Sequence, residues 1–298
     1  MTTVNNFPNL WLKIRRRFFH YLNFAIKKPD WIIMFCFSRI HFIRKLVRIV
    51  CKEKILIKYE VNSIFKDIEV NQVVDTLKKD GIYLGINLPE YVLQEVIECS
   101  KDITYFGDGN PQFCFSINDK KNEEKRLGKT FITGYNFDIS SLCPSVKNLE
   151  NDPKLWAIAT KYFEKKSANV ISRIWWTFVQ EEEVEERAKG FFHFHYDLED
   201  YWCLKFMFYL TDVDIYSGSH VCVKSSHNKK QLRHQFSLLR ETDDSDIINY
   251  YGSENVLNIC KQAGFGFVED PFCFHKGTIP VRRDRLILEV KFTLNNYE

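Results

Sequence analysis

The sequence predicts an α+β fold with a mainly β core, a β-sandwich or jelly roll carrying N-terminal helices against one sheet. Three observations lead there. Helical apolar spacing dominates the chain up to Lys165, and from Val170 onward the chain breaks into short strand-like runs separated by turns. A composition of 45% hydrophobic and 15% aromatic residues in 298 allows a sizeable core and excludes wholesale disorder.

Residues 1–65 read as a basic, aromatic helical segment preceding a domain at 66–298. Over residues 1–58, thirteen Lys or Arg stand against Asp30 and Glu53, a net +11, while the whole chain is only +3, so the remainder is acidic at −8. The apolar runs of this leader are broken by charge, as in Trp11-Leu12-Lys13-Ile14-Arg15-Arg16-Arg17-Phe18-Phe19, which excludes a secretory signal. They are also too short for the roughly 20 residues that cross a bilayer. Three readings stand: peripheral contact with an anionic membrane face, helices packed on the domain, or a nucleic-acid arm. The acidic remainder would repel phosphate backbones, so no nucleic acid is expected. Nine cysteines without a CxxC pair fit reduced thiols in a cytoplasmic protein, with the membrane inner face as the peripheral alternative.

Within the domain, Val70, Val73, Val74 and Leu77 repeat at helical spacing and Asp80-Gly81 ends that helix. A short strand follows at 82–86, then a helix from Leu88-Pro89-Glu90 to about Lys101 and another from Asp152-Pro153 to about Lys165. Residues 106–130 read as a polar loop or lid. Strand-like runs occupy 170–179, 191–195, 204–210, 219–223, 266–268, 272–275 and 285–294. A mostly helical polar insertion interrupts them at about 228–263.

Phe192-His193-Phe194-His195-Tyr196-Asp197 carries the chemistry. On an extended strand, residues two apart share a face. His195 and Asp197 can therefore meet one metal while Tyr196 points away; His193 with His195 is the competing register. A distal histidine completes a facial triad that leaves positions open for a bidentate co-substrate and O₂, the ligand set of non-haem iron(II) sites. His275, at the end of an apolar run, suits that role better than His220, His227 or His234. The far carboxylate of an iron-bound oxoacid needs a fixed planar cation, and Arg285, ten residues on, can supply it from the next strand. Arg282 and Arg283 lie in the polar loop and look solvent-facing. Lys205 can assist oxoglutarate or substrate, or be a solvated strand charge; Tyr209 and Thr211 share its face. Of Trp175 and Trp176, one should face the pocket and the other the core. The acidic run 181–186 reads as a solvated loop at the site mouth.

At these residues the chain resembles the phytanoyl-CoA dioxygenase-like family of iron/2-oxoglutarate oxygenases, over roughly residues 70–294. The helix into Asp80-Gly81-Ile82, the Phe194-His195-Tyr196-Asp197 motif, Gly218-Ser219-His220 and Ser225-Ser226-His227 carry the likeness. Ser225 departs from a Gly usual in the family. The resemblance implies a double-stranded β-helix (cupin-like jelly roll), Fe(II) on His195, Asp197 and His275, and 2-oxoglutarate on Arg285; Lys205 and Thr211, from their shared strand face, are further candidates for the oxoglutarate. It also implies a dioxygenase that releases succinate and CO₂, but substrate specificity does not carry over; a small-molecule, lipid or glycan-type substrate is the expectation, the lipid or glycan class resting on the basic leader. Asp197 favours hydroxylation, since halogenating relatives carry a small residue there. A non-catalytic jelly-roll protein and a cupin-type metal-dependent isomerase or hydrolase are the alternatives, because fold does not fix chemistry.

Overall fold

Period-two alternation in the longest strands decides which side chains meet helices and which meet the facing sheet. The computed structural model describes residues 15, 19, 21–22, 25–53, 62–166, 169–180, 192–236 and 242–297. Most of the Trp11 to Phe19 stretch, the 181–186 run and Phe191 lie outside them. The strands are β1 (Ile82–Leu84), β2 (Thr104–Gly107), β3 (Cys114–Ser116), β4 (Thr133–Asn136), β5 (Asn169–Thr177), β6 (Cys203–Tyr209), β7 (His220–Val223), β8 (Val256–Ile259), β9 (Gly266–Glu269), β10 (His275–Gly277) and β11 (Arg285–Thr293). The major sheet is antiparallel in the order β1-β9-β6-β11-β5-β4-β2-β3, and a minor sheet runs β10-β7-β8.

On β11, Leu286, Leu288, Val290 and Phe292 join a core built with the helices, whereas Ile287 joins the core between the sheets. On β6, Leu204, Phe206 and Phe208 take the helix side, and Met207 and Tyr209 the inter-sheet side. Burying the four outer β11 side chains contributes roughly 6–12 kcal/mol gross. A one-residue slip would exchange them for Arg285 and Glu289, so the register is firmly set.

The helices are α1 (Pro29–Phe37), α2 (His41–Cys51), α3 (Val70–Asp80), α4 (Glu90–Asp102), α5 (Lys120–Leu127), α6 (Ile139–Leu142), α7 (Pro144–Glu150), α8 (Pro153–Phe163), α9 (Leu232–Gln235) and α10 (Asp244–Tyr251). Val70, Val73, Val74 and Leu77 of α3, with residues of α4, α7 and α8, cover the outer face of the major sheet. Gly81 ends α3 in the left-handed conformation at φ 78°, its N–H bonded to Leu77 O. Asp152 caps α8 by accepting from Lys154 N and Leu155 N. Trp31, Met34 and Phe35 of α1 pack on the outer face of the minor sheet, against a core containing Phe194, Tyr196, Phe272 and Phe274.

Four segments depart from expectation. Of the run expected at 191–195, Phe192 and His193 are not strand, and Phe194 and His195 make only isolated bridges, to Thr242 and His275. The 106–130 stretch is not a plain loop: its start completes β2, followed by β3 and α5. Residues 228–263 contain β8, which pairs with β7, as well as helix. The run 272–275 is mostly turn, and His275 begins β10 instead of ending a strand. For β3 and β8, pairing with β2 and β7 supplies the strand that weak local propensity did not mark.

Candidate metal centre

His195 and His275 pair across antiparallel backbone, His195 N donating to His275 O at 3.0 Å and His275 N to His195 O at 2.8 Å. Asp197 N donates to Pro271 O at 2.8 Å, which holds the next same-face residue beside the same partner segment. One ligand atom from each of His195, Asp197 and His275 lies within 4.8 Å of the others. The rings are 4.6 Å apart, and His275 Nε2 is 3.6 Å from Asp197 Oδ2. His195 Nδ1 faces His193 O at 2.9 Å and His275 Nδ1 faces Cys273 O at 3.0 Å. A carbonyl accepts only an N–H, so both Nδ1 atoms carry hydrogen and Nε2 is the atom each ring can offer to a metal, His275 once it has released its second proton. His193 serves this group through its carbonyl. Tyr196 turns away, its hydroxyl bonded to His234 O and Gln235 O at 2.9 and 3.0 Å.

A buried charge network surrounds the trio. Lys205, 3% exposed, places its ammonium 2.6 Å from Asp197 Oδ2 and 2.7 Å from Glu199 Oε1, with Glu289 at 3.9 Å. It is therefore paired, not solvated. Arg173 binds Glu289 at 2.8 Å and Lys291 binds Glu199 at 2.7 Å. Burial works against the Asp197 anion, but Lys205 and His275 outweigh it and hold the carboxyl well below its usual range. His220 Nε2 lies 2.9 Å from Glu269 Oε2. Burial likewise opposes ionisation of Glu269, yet the His220 and His275 rings hold it down at about 2. Burial disfavours a charged His275, but Glu269 and Asp197 push it up to about 9.

Arg285 is 5% exposed and has no carboxylate partner among the described residues. Its Nη2 donates to Thr177 Oγ1 at 3.0 Å, its Nη1 to Gly218 O, and its Nε has no partner. A buried cation so placed is costly unless an anion joins it. The guanidinium lies beside β10, where a Cβ on Gly277 would be in ordinary contact with Arg285 Nη2 at 3.6 Å. His275 and Gly277 are two apart on β10, so the guanidinium sits about 7 Å along the strand from the third imidazole. A cavity of about 140 Å³ between the sheets is lined by the trio, Arg285, Lys205, Thr177, Trp175, Tyr135, His220 and Glu269 among others.

Trp175 faces this cavity while Trp176 packs towards the helix-side core. Thr211 is not among the lining residues; its hydroxyl accepts Leu286 N–H at 3.1 Å. The hydroxyl beside the guanidinium belongs to Thr177, directly paired with Arg285 across β5 and β11. Arg282 and Arg283 are exposed, and Arg283 pairs with Asp214 at 2.7 Å. Arg173, Thr177, His220, Glu269 and Glu289 were not anticipated as lining. The available signal was a charged or polar side chain alternating with apolar ones in a buried strand, as Glu289 does in Leu286 to Phe292.

No protein-family profile matches the chain, the phytanoyl-CoA dioxygenase-like one included, and no curated protein matches it in sequence. Among solved structures, EctD from S. alaskensis in its apoform superposes with a TM-score of 0.53 at 12% identity, over 81% of this chain and 82% of that one. The fold is a double-stranded β-helix. Two further matches are HygX from Streptomyces hygroscopicus with nickel and 2-oxoglutarate bound, and the non-heme alpha ketoglutarate dependent carbocyclase SnoK from nogalamycin biosynthesis. HygX gives a TM-score of 0.49 at 13% identity over 77% of this chain and 89% of that one. SnoK gives 0.49 at 13% over 78% and 86%. At such identities the likeness concerns the fold alone, and of these three it rests on the EctD superposition.

Proposed function

We propose that this chain is an Fe(II)- and 2-oxoglutarate-dependent dioxygenase of the phytanoyl-CoA dioxygenase-like kind that hydroxylates a C–H bond of a small-molecule, lipid or glycan-type substrate. One observation carries the reading: two imidazoles and a carboxylate converge at one end of a cavity, and an unpaired buried arginine waits at the other. The donor set fits a ferrous ion, two imidazole Nε2 atoms and one carboxylate, and metal binding would displace the Nε2 proton that Glu269 and Asp197 favour on His275. The arginine fits the distal carboxylate of a five-carbon dicarboxylate whose other end would lie at the metal.

His195, Asp197 and His275 would hold the metal, with His193 O and Cys273 O fixing both rings. Lys205 keeps Asp197 ionised and oriented; since its ammonium is already shared among carboxylates, we assign it to Asp197 and not to the oxoacid. Arg285, aligned by Thr177 Oγ1 and Gly218 O, would grip the oxoacid. When bound, iron and oxoacid supply O₂ activation, with the oxoacid released as succinate and CO₂. Trp175 and Tyr135 wall the cavity and exclude water from the reacting end.

The test is anaerobic calorimetry of 2-oxoglutarate binding to the Fe(II)-loaded protein. Arg285→Ala should weaken it by about a hundredfold, the scale of a lost bidentate ion pair, while leaving metal affinity within a few-fold. Turnover of oxoglutarate to succinate should require His195, Asp197 and His275. Unchanged oxoglutarate affinity in Arg285→Ala would favour a cupin-type hydrolase or isomerase needing no oxoacid.

A further inference from the structure

The helix α2 is built inside out. Its charged face turns towards the domain: the Arg44 guanidinium lies 4.1 Å over the Phe272 ring and 3.7 Å from Asp270. Arg48 donates to Tyr162 O at 2.9 Å and covers the Tyr162 and Trp202 rings at 5.2 and 5.4 Å. The opposite face holds Phe42, Leu46, Ile49 and Val50, which are 71%, 47%, 72% and 75% exposed. An ordinary surface helix does the reverse, burying the apolar stripe and solvating the charges.

In α1 the inward face is apolar, with Trp31, Met34 and Phe35 buried, yet Ile33 and Phe37, one turn apart, add apolar surface on the outward side. Nine of the twenty exposed large apolar side chains among the described residues fall between positions 19 and 50. Exposed apolar side chains gathered in one part of a surface are the mark of an interaction site. Around it the charge is one-sided: Arg15, Lys27 and Lys45 are exposed, and Asp30 and Glu53 are the only acids in residues 1–58.

We propose that the outward apolar face of α1 and α2 docks on an anionic phospholipid bilayer, with the helices lying in the headgroup plane. At nine and eleven residues they are too short to span, and no described helix is long and apolar enough to cross a membrane. Apolar residues enter the interface while the basic rim meets lipid phosphate and carboxylate, the arrangement of interfacial helices. A second copy is the poorer occupant, because a two-fold contact would press two basic rims together. The proposal goes beyond the catalytic reading and does not depend on it.

The experiment is flotation of the full chain with vesicles of phosphatidylcholine alone and of phosphatidylcholine with one-third phosphatidylserine. Partition should be about tenfold stronger on the anionic vesicles and should fall with added salt. The double variant Phe42→Glu/Ile49→Glu should lose about tenfold or more of it, while Tyr91→Glu, exposed on α4, should keep it. Lys45→Glu should reduce binding to the anionic vesicles alone. Both mutated faces are solvent-exposed, and circular dichroism checks that the variants fold. Absence of vesicle binding, or equal binding by the wild type and the double variant, overturns the proposal. So does concentration-dependent dimerisation abolished by the double variant without vesicle binding, which would assign the face to a second copy.

Discussion

At the scale of single residues, Lys205 holds the site's electrostatics together. Three carboxylates, Asp197, Glu199 and Glu289, converge on its ammonium, which is 3% exposed. Removing one partner of such a network leaves buried charge uncompensated, which is far more damaging than losing a surface pair. Lys205→Met should therefore destabilise the fold by about 3–5 kcal/mol, read from urea unfolding. Metal affinity should also fall, by about ten- to a hundredfold, because Asp197 loses the group that orients it. Ser225 shows a smaller accommodation. It stands where the resembling family has Gly, and it adopts the left-handed region at φ 61°. Its hydroxyl donates to Lys79 O and its N–H to Asp80 O, which offsets the cost of that conformation.

At the scale of elements, the end of α3 is closely fitted to the segment that leads into β10. A Cβ on Gly81 would come within 2.2 Å of Cys273 Sγ and 2.6 Å of His227 Nδ1, in a residue already at positive φ. Gly81→Ala should cost about 2–3 kcal/mol, measured by chemical denaturation; a change below 0.5 kcal/mol would refute this tight junction. The same leading segment carries a lysine box. Lys230 donates to Phe272 O at 2.7 Å and lies between the Tyr196, Phe272 and Phe274 rings. Burial pushes its ammonium down to about 7 from 10.5. Between these values the unfolded chain keeps a proton that the folded chain has released, so stability rises with pH through this window. Below pH 7 the folded state bears the full cost of a buried charge. The stability of wild type relative to Lys230→Met should improve by about 2–3 kcal/mol from pH 7 to 9, followed by urea midpoints.

At the scale of the whole molecule, two sheets are clamped face to face with a charged interior, and helices cover both outer faces. The proposed metal would bridge the 194–197 segment and β10, two parts of the chain far apart in sequence. Binding to the folded state alone stabilises it by mass action, about 2.7 kcal/mol at a hundredfold excess over Kd. Adding Mn(II) as an oxygen-stable stand-in should raise the melting temperature by several degrees, and Asp197→Ala should abolish the shift. An equal shift in that variant would mean the ion binds elsewhere.

Much of this architecture follows from local pattern. The period-two runs at β5, β6, β7, β9 and β11, the helical spacing of Val70 to Leu77 and the caps at Asp152 and Gly81 are legible because each depends on neighbours a few residues away. The HxD pair, the distal His275 and Arg285 are legible for the same reason, as residue types at strand spacing. The hairpin of β2 and β3, β8 and the late start of β10 are not, since their short strands owe their state to partners elsewhere. Nor could sequence assign Lys205 to Asp197, seat Thr177 against Arg285 in place of Thr211, or turn the apolar face of α2 outward. Those outcomes depend on which faces are buried against one another, and burial is a property of the assembled sheets and helices. Local spacing determined the donors; tertiary packing decided their charge partners and the surface left open.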